Sequence, residues 1–171
     1  MQHVFFVTGK EKVFMTTENT EIVDFSKSVF YKIQQLAIYC DKMADNFFEI
    51  RNVDLTHDEF AALNFVLNNP DICQRDLAKL LLRDRVRAGR IITSLEDKGY
   101  IKRTNATRNN RLIRKLQITN SGKKIYNEQF NIMQQIMKVL TKKFSEKQMN
   151  ELLASLSELE NALSNIVEFN I

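Results

Sequence analysis

From Ile22 to Ile50 the chain carries neither proline nor glycine, and its apolar residues fall at steps of three and four. Val29, Ile33, Leu36, Tyr39 or Cys40, Met43 and Phe47 trace one face, the pattern of a single long amphipathic helix. Such a helix is longer than a small domain needs for its own core, which points to use in an interface. Punctuation is sparse throughout, with four glycines and one proline in 171 residues, and this favours helices over a turn-rich β sandwich.

Thr56-His57-Asp58-Glu59 is a capping box, since Thr56 can accept from the backbone N–H three residues on and Glu59 can reach back. The helix it opens carries Phe60, Leu63, Phe65, Val66 and Leu67 and stops at Asn68-Asn69-Pro70. Ile72-Cys73 reads as a very short strand, and a third helix is predicted from Gln74 to Leu82, with Asp84 as the next cap. A fourth helix follows, about Val86 to Lys98, ended by Gly99. Its Ala88, Ile91, Ile92 and Leu95 recur at core spacing, so Arg87, Arg90 and Ser94 are expected to point outward. Arg83, Arg85, Arg87 and Arg90 crowd the start of this helix, the end where the dipole disfavours cations, so helix stability does not explain them.

Strands are predicted over Tyr100–Thr104 and Ile113–Ile118, joined by the polar tip Asn105–Arg111. Helix, strand, basic tip and strand make the layout of a winged helix. A helix from Thr119 to about Lys143 comes next. The last helix, opened by the capping box Ser145–Gln148, carries the stripe Met149, Leu152, Leu153, Leu156, Leu159, Leu163 and Ile166. Basic charge is concentrated in the middle. Arg75 to Lys115 holds thirteen lysines and arginines against four acids, a net of +9, while the whole chain carries +4. Charge of that density suits DNA phosphates, with base edges left to the helix in the major groove.

Leu55-Thr56-x-x-Glu59-Phe60, Asp76-Leu77-Ala78, Leu95-Glu96-Asp97-Lys98-Gly99-Tyr100-Ile101 and Ile118-Thr119-x-x-Gly122 occur in the order of the multiple-antibiotic-resistance-regulator (MarR) family. The chain resembles that family from about Asp24 to Val167. The resemblance implies a homodimer with interleaved N- and C-terminal helices, and one recognition helix and one wing per subunit. It also implies repression of nearby genes, relieved by a small aromatic ligand or by oxidation. The chain departs from the family in two places. The wing carries Asn109-Asn110-Arg111 in place of Asp-x-Arg and one residue farther from Thr119, and Leu82-Arg83 stands where many members have glycine and an apolar residue. Arg111 is the foremost wing candidate for the minor groove, with Arg108 and Arg114 as alternatives.

The expected architecture is therefore mainly α: a winged helix-turn-helix with long N- and C-terminal dimerisation helices and a two- to three-stranded β wing. Residues 1–20 read as a flexible extension, of which 1–14 precede a possible alternative start at Met15. Residues 21–54 read as the N-terminal dimerisation helix, 55–119 as the DNA-binding domain and 120–171 as the C-terminal dimerisation helices. The expected sites are Arg83, Arg85, Arg87, Arg90 and Ser94 in and before the recognition helix, and Arg108, Arg111 and Arg114 in the wing. The expected partners are a pseudo-palindromic double-stranded operator and a second copy of the chain, with a small aromatic ligand to release it.

Other classes find little support. Two cysteines and two histidines, widely spaced, do not make a zinc site, and no cofactor or metal is expected. Cys40, on the apolar face of the first helix, reads as packing rather than as an oxidation sensor, and His57 as an exposed first-turn residue. There is no Gly-rich phosphate loop, no H-E-x-x-H and no Ser-His-Asp set, so an enzyme is not expected. No apolar run approaches the ~18–20 residues of a membrane span, and a cytoplasmic location is expected. The rival reading is a winged helix that binds protein, which would call for an apolar or acidic face where Arg87, Arg90 and Arg111 stand.

Overall fold

The computed structural model describes residues 4–8, 11–15, 24–108 and 111–165, with backbone alone at 4–8, 11–15, 108 and 111. Six helices and two hairpins follow one another: β1 (Val4–Thr8), β2 (Glu11–Met15), α1 (Val29–Ile50), α2 (His57–Asn68), α3 (Gln74–Leu80), α4 (Arg85–Asp97), β3 (Ile101–Arg108), β4 (Arg111–Ile118), α5 (Asn120–Thr141) and α6 (Glu146–Ser164). They fall into two compact units, one of Cys40–Val139 and one of Met1–Tyr39 with Leu140–Phe169.

The first of these units is the winged helix. Ala62, Leu63 and Val66 of α2, Leu77 of α3 and Ile91, Ile92 and Leu95 of α4 bury the apolar faces read from the sequence. Ile101 and Leu116 close the core from the wing strands. Phe47 and Phe48 of α1 continue it through Phe60 to Tyr126 of α5, the last two rings stacked with centroids 5.1 Å apart. Strands β3 and β4 pair antiparallel from Ile101↔Ile118 to Arg108↔Arg111. Asn105, Ala106, Thr107 and Leu112, predicted as part of a loop, are therefore strand, and alternate cross-strand partners carry the hairpin to its end. The short strand expected at Ile72-Cys73 is a single bridge, Cys73 to Lys115.

Three helices here end in the same way. After α1, α3 and α4 the chain enters the left-handed region at Asn52 (φ 50°), Leu82 (φ 51°) and Gly99 (φ 71°). At α3 the Arg83 N–H reaches the Ala78 carbonyl and the Leu82 N–H the Lys79 carbonyl, the paired bonds of a Schellman motif. At α4 Tyr100 N–H and Gly99 N–H do the same to Leu95 and Glu96. Thus α3 stops at Leu80, short of the predicted Leu82. At Leu82 the backbone takes a conformation suited to glycine with a leucine in place.

In the other unit, β1 and β2 pair antiparallel from Val4↔Met15 to Thr8↔Glu11, a hairpin the sequence reading did not anticipate. Helix α1 begins at Val29, not at Ile22. Phe25–Lys27 is a 3-10 turn capped by Asp24, and the Ser28 hydroxyl accepts from the Tyr31 N–H at 3.1 Å, so short polar side chains hold the backbone before the α-helix starts. Within the single chain the apolar faces of these helices stay open: Val29, Leu36 and Tyr39 of α1 and Leu152, Leu153 and Leu156 of α6 are exposed. Ile166, assigned to the α6 stripe, lies outside the described residues. No described helix is long and apolar enough to cross a membrane.

Candidate nucleic-acid interface

Helix α4 is held against α2 by two neighbouring carboxylates in the first turn of α2. The capping box forms as the sequence predicts: Glu59 N–H donates to Thr56 Oγ1 at 3.2 Å, and Thr56 N–H to Glu59 Oε2 at 2.8 Å. The Glu59 carboxylate is buried and also accepts from Ser94 Oγ at 2.5 Å and from Lys98 Nζ at 3.0 Å. Ser94, expected to face outward, is thus turned toward α2. Burial works against the charge of Lys98, but Asp54 and Glu59 outweigh it and hold its pKa above the ordinary value.

Asp58 reaches the other end of α4. Its Oδ2 accepts from Arg87 Nη2 at 2.7 Å and Nε at 3.0 Å, and its Oδ1 from Arg83 Nη2 at 3.2 Å. Burial alone would raise the Asp58 pKa; the two guanidinium groups more than reverse this and leave it below the usual carboxylate value. Arg83 and Arg87 are therefore anchored on the flank of α4 next to α2.

The face opposite the buried residues shares Arg90 with the one expected and otherwise lies one row over. Ala88, Ile91, Ile92 and Leu95 are buried, and helical geometry places Val86, Arg90, Thr93 and Asp97 across the helix from them. All four are exposed. The signal was present in the sequence, since these positions stand at i, i+4, i+7 and i+11. Charge marks only Arg90 and Asp97 in this row, while Arg83 and Arg87 belong to the neighbouring one. With Gln74, Gly89, Ser94 and Arg103, the four exposed residues Val86, Arg90, Thr93 and Asp97 line an open concavity of about 600 Å³. Asp84 caps α4 by accepting from the Arg87 N–H at 2.8 Å, and Gln74 Nε2 donates to the Arg85 carbonyl at 3.1 Å, so α3 and the start of α4 are tied together.

In the wing Arg103 pairs with Glu96 and donates to Thr93 Oγ1 at 3.0 Å, while Lys115 meets Asp71 at 2.7 Å. Arg114 is exposed in mid-strand opposite Asn105. Arg108 and Arg111 form the last register pair of the hairpin, and their side chains lie outside those described. Folding also tempers the charge. Asp54, Asp58, Glu59 and Asp71 come from outside Arg75–Lys115 yet pair with its cations, bringing the local +9 down to +5. Cys40, read as packing, is exposed in the single chain. Among the described residues no cluster of His, Cys, Asp and Glu could hold a metal ion.

Comparison with known proteins places this arrangement. Over 78 residues the chain is 37% identical to YybA of Bacillus subtilis, an uncharacterised helix-turn-helix-type transcriptional regulator, covering 46% of this chain. The chain spans about half the length of that relative, 51%. Among solved structures, the transcriptional regulator SlyA matches with a TM-score of 0.69 and 27% identity over 81% of this chain and 95% of that one. A Staphylococcus aureus MepR–DNA complex matches with a TM-score of 0.69 and 22% identity over 80% and 96%. A MarR/EmrR family regulator from Acinetobacter sp. ADP1 gives 0.74 at 18% identity over 83% and 99%. Residues 53–111, from the approach to α2 to the start of β4, match the model of the MarR family, and the chain has the winged-helix fold of the MarR-family regulators it resembles.

Proposed function

We propose that the chain is a sequence-specific, double-stranded-DNA-binding transcriptional regulator that works as a homodimer in the cytoplasm, as a repressor released by a small aromatic ligand. One observation carries the DNA-binding reading. Arg83, Arg85, Arg87 and Arg90 gather just before and within the first two turns of α4, where the helix dipole opposes cations, and the carboxylates of Asp58 and Asp84 offset only two of these four charges. A polyanion lying across α3, α4 and the wing fits that charge, with the start of α4 in the major groove. That MepR has been solved with DNA on a similar fold supports the reading.

The dimer follows from the open apolar faces of α1 and α6. Val29, Leu36, Tyr39, Leu152, Leu153 and Leu156 leave more apolar surface in water than a soluble monomer ordinarily carries, and a second copy supplies the missing cover. Two-fold symmetry then calls for a pseudo-palindromic operator with half-sites roughly 10 base pairs apart.

Duplex binding is tested by fluorescence anisotropy over a salt series. Affinity that falls steeply with salt, and footprints of two half-sites upstream of the gene or its neighbours, are expected. Light scattering should give about twice 20.0 kDa. A protein that ignores duplex DNA at low salt and instead captures an acidic protein would establish the rival reading.

A further inference from the structure

The recognition helix presents an apolar residue where its first turn would enter a groove. Val86 is 65% exposed, although a soluble helix loses nothing by having a polar residue there. It shares the outermost strip of α4 with Arg90, one turn on, and with Thr93. Arg87 and Ser94, by contrast, are engaged sideways by Asp58 and Glu59.

We propose that Val86 and Arg90 are the residues of α4 that read base sequence, Val86 through the 5-methyl group of a thymine and Arg90 through O6 and N7 of a nearby guanine. The assignment rests on the DNA-binding reading above and narrows it to one row of side chains. Thymine alone among the four bases offers a methyl group in the major groove, and valine is the apolar partner for it. A planar guanidinium matches the paired acceptors of guanine. The clamp on α2 decides between rows. Arg87 gives its Nε and Nη2 to Asp58, which holds its guanidinium toward α2 and away from the outermost strip, so it serves as a positioning and phosphate-facing cation. Gly89, between Val86 and Arg90, leaves room for the Gln74 amide, whose Nε2 lies 3.1 Å from where a Cβ would stand.

The test starts from a duplex enriched by the full-length chain out of a random-sequence pool. Each thymine is then replaced in turn by deoxyuridine, which lacks only the methyl group. At one thymine in each half-site the replacement is expected to weaken binding about fourfold, the worth of one buried methyl-sized group. Val86→Ala, at an exposed site that leaves the core intact, should bind the thymine duplex more weakly and become indifferent to uridine at that position. Arg90→Ala should reduce the ratio of selected to scrambled affinity by roughly 5- to 150-fold, the range for one bidentate contact, whereas Arg87→Ala should weaken both duplexes alike. If no uridine replacement matters, if Val86→Ala keeps the discrimination, or if Arg87→Ala costs the ratio as much as Arg90→Ala, the assignment is overturned while DNA binding stands. If no duplex is enriched at all, the DNA-binding reading itself fails.

Discussion

Lys98 Nζ stands 3.0 Å from both carboxylate oxygens of Glu59, so the last turn of α4 is fastened to the first turn of α2 by a pair largely removed from water. The pair is well supplied with further partners, because Glu59 also accepts from Ser94 and Lys98 also meets Asp54. Glu59→Gln keeps the shape and removes the charge. It is expected to lower stability by about 2 kcal/mol, the scale for hydrogen bonds to a charged group. Urea unfolding measures this, and an unchanged midpoint would mean that the charge contributes nothing beyond its hydrogen bonds.

Asp58 gives a pH signature of known sign. Its folded pKa lies below the ordinary 3.8, so its ionised form contributes stability that is present above that value and lost as pH falls through the lowered folded value. Asp58→Asn should therefore show a constant deficit against the parent from about pH 5 to pH 7, which shrinks as pH falls below 3.8 and vanishes only below the lowered folded value. Urea midpoints of the two proteins at each pH check it; a deficit that persists in acid would place the effect in shape, not charge.

The same substitution bears on DNA. Freeing Arg83 and Arg87 from a carboxylate leaves more positive charge on the flank of α4. Asp58→Asn should tighten binding to scrambled duplex and steepen the logarithmic salt slope by about one phosphate's worth, roughly 0.9. A salt slope identical to the parent's would show that neither arginine approaches the backbone.

Much of this fold could be read from spacing alone. The capping box at Thr56, the stop at Pro70, the cap at Asp84 and the buried set of α4 are local signals, and local signals survive folding. What escaped depends on contacts distant in sequence. The sequence shows Arg87 and Ser94 as polar helix residues, and nothing near them reveals that Asp58 and Glu59, 29 and 35 residues earlier, will turn them aside. The start of α1 is hidden for a different reason: apolar periodicity runs on through Asp24 and Ser28, whose side chains accept backbone N–H groups and delay the helix.

Leu82 carries backbone strain that Gly99 avoids in the same motif. A left-handed residue with a Cβ costs roughly 1–2 kcal/mol, and the half-exposed leucine side chain recovers little by burial. Leu82→Gly should match or exceed the parent in stability, by up to about 1 kcal/mol once the added freedom of the unfolded chain is subtracted. Leu82→Val, with a branched Cβ, should be the least stable of the three. Urea midpoints in any other order would show that this turn is not strained.

Gly122, in the first turn of α5, has a different reason to be glycine. A Cβ there would stand 2.1 Å from the Tyr100 carbonyl oxygen, and backbone cannot be rotated out of the way as a side chain can. Gly122→Ala should cost about 2–3 kcal/mol or more. A thermal melt close to the parent's would contradict the contact.

That contact also governs how the wing can move. Between most packed elements lie side chains, which change rotamer and absorb small displacements like a cushion. Here the cushion is missing: the α5 backbone meets the Tyr100 carbonyl directly, and Thr119 doubles the joint by donating its N–H to Tyr100 at 2.9 Å and its hydroxyl to Gly99 at 2.7 Å. The first turn of α5 and the root of β3 are welded, and whatever tilts that turn must swing the wing with it.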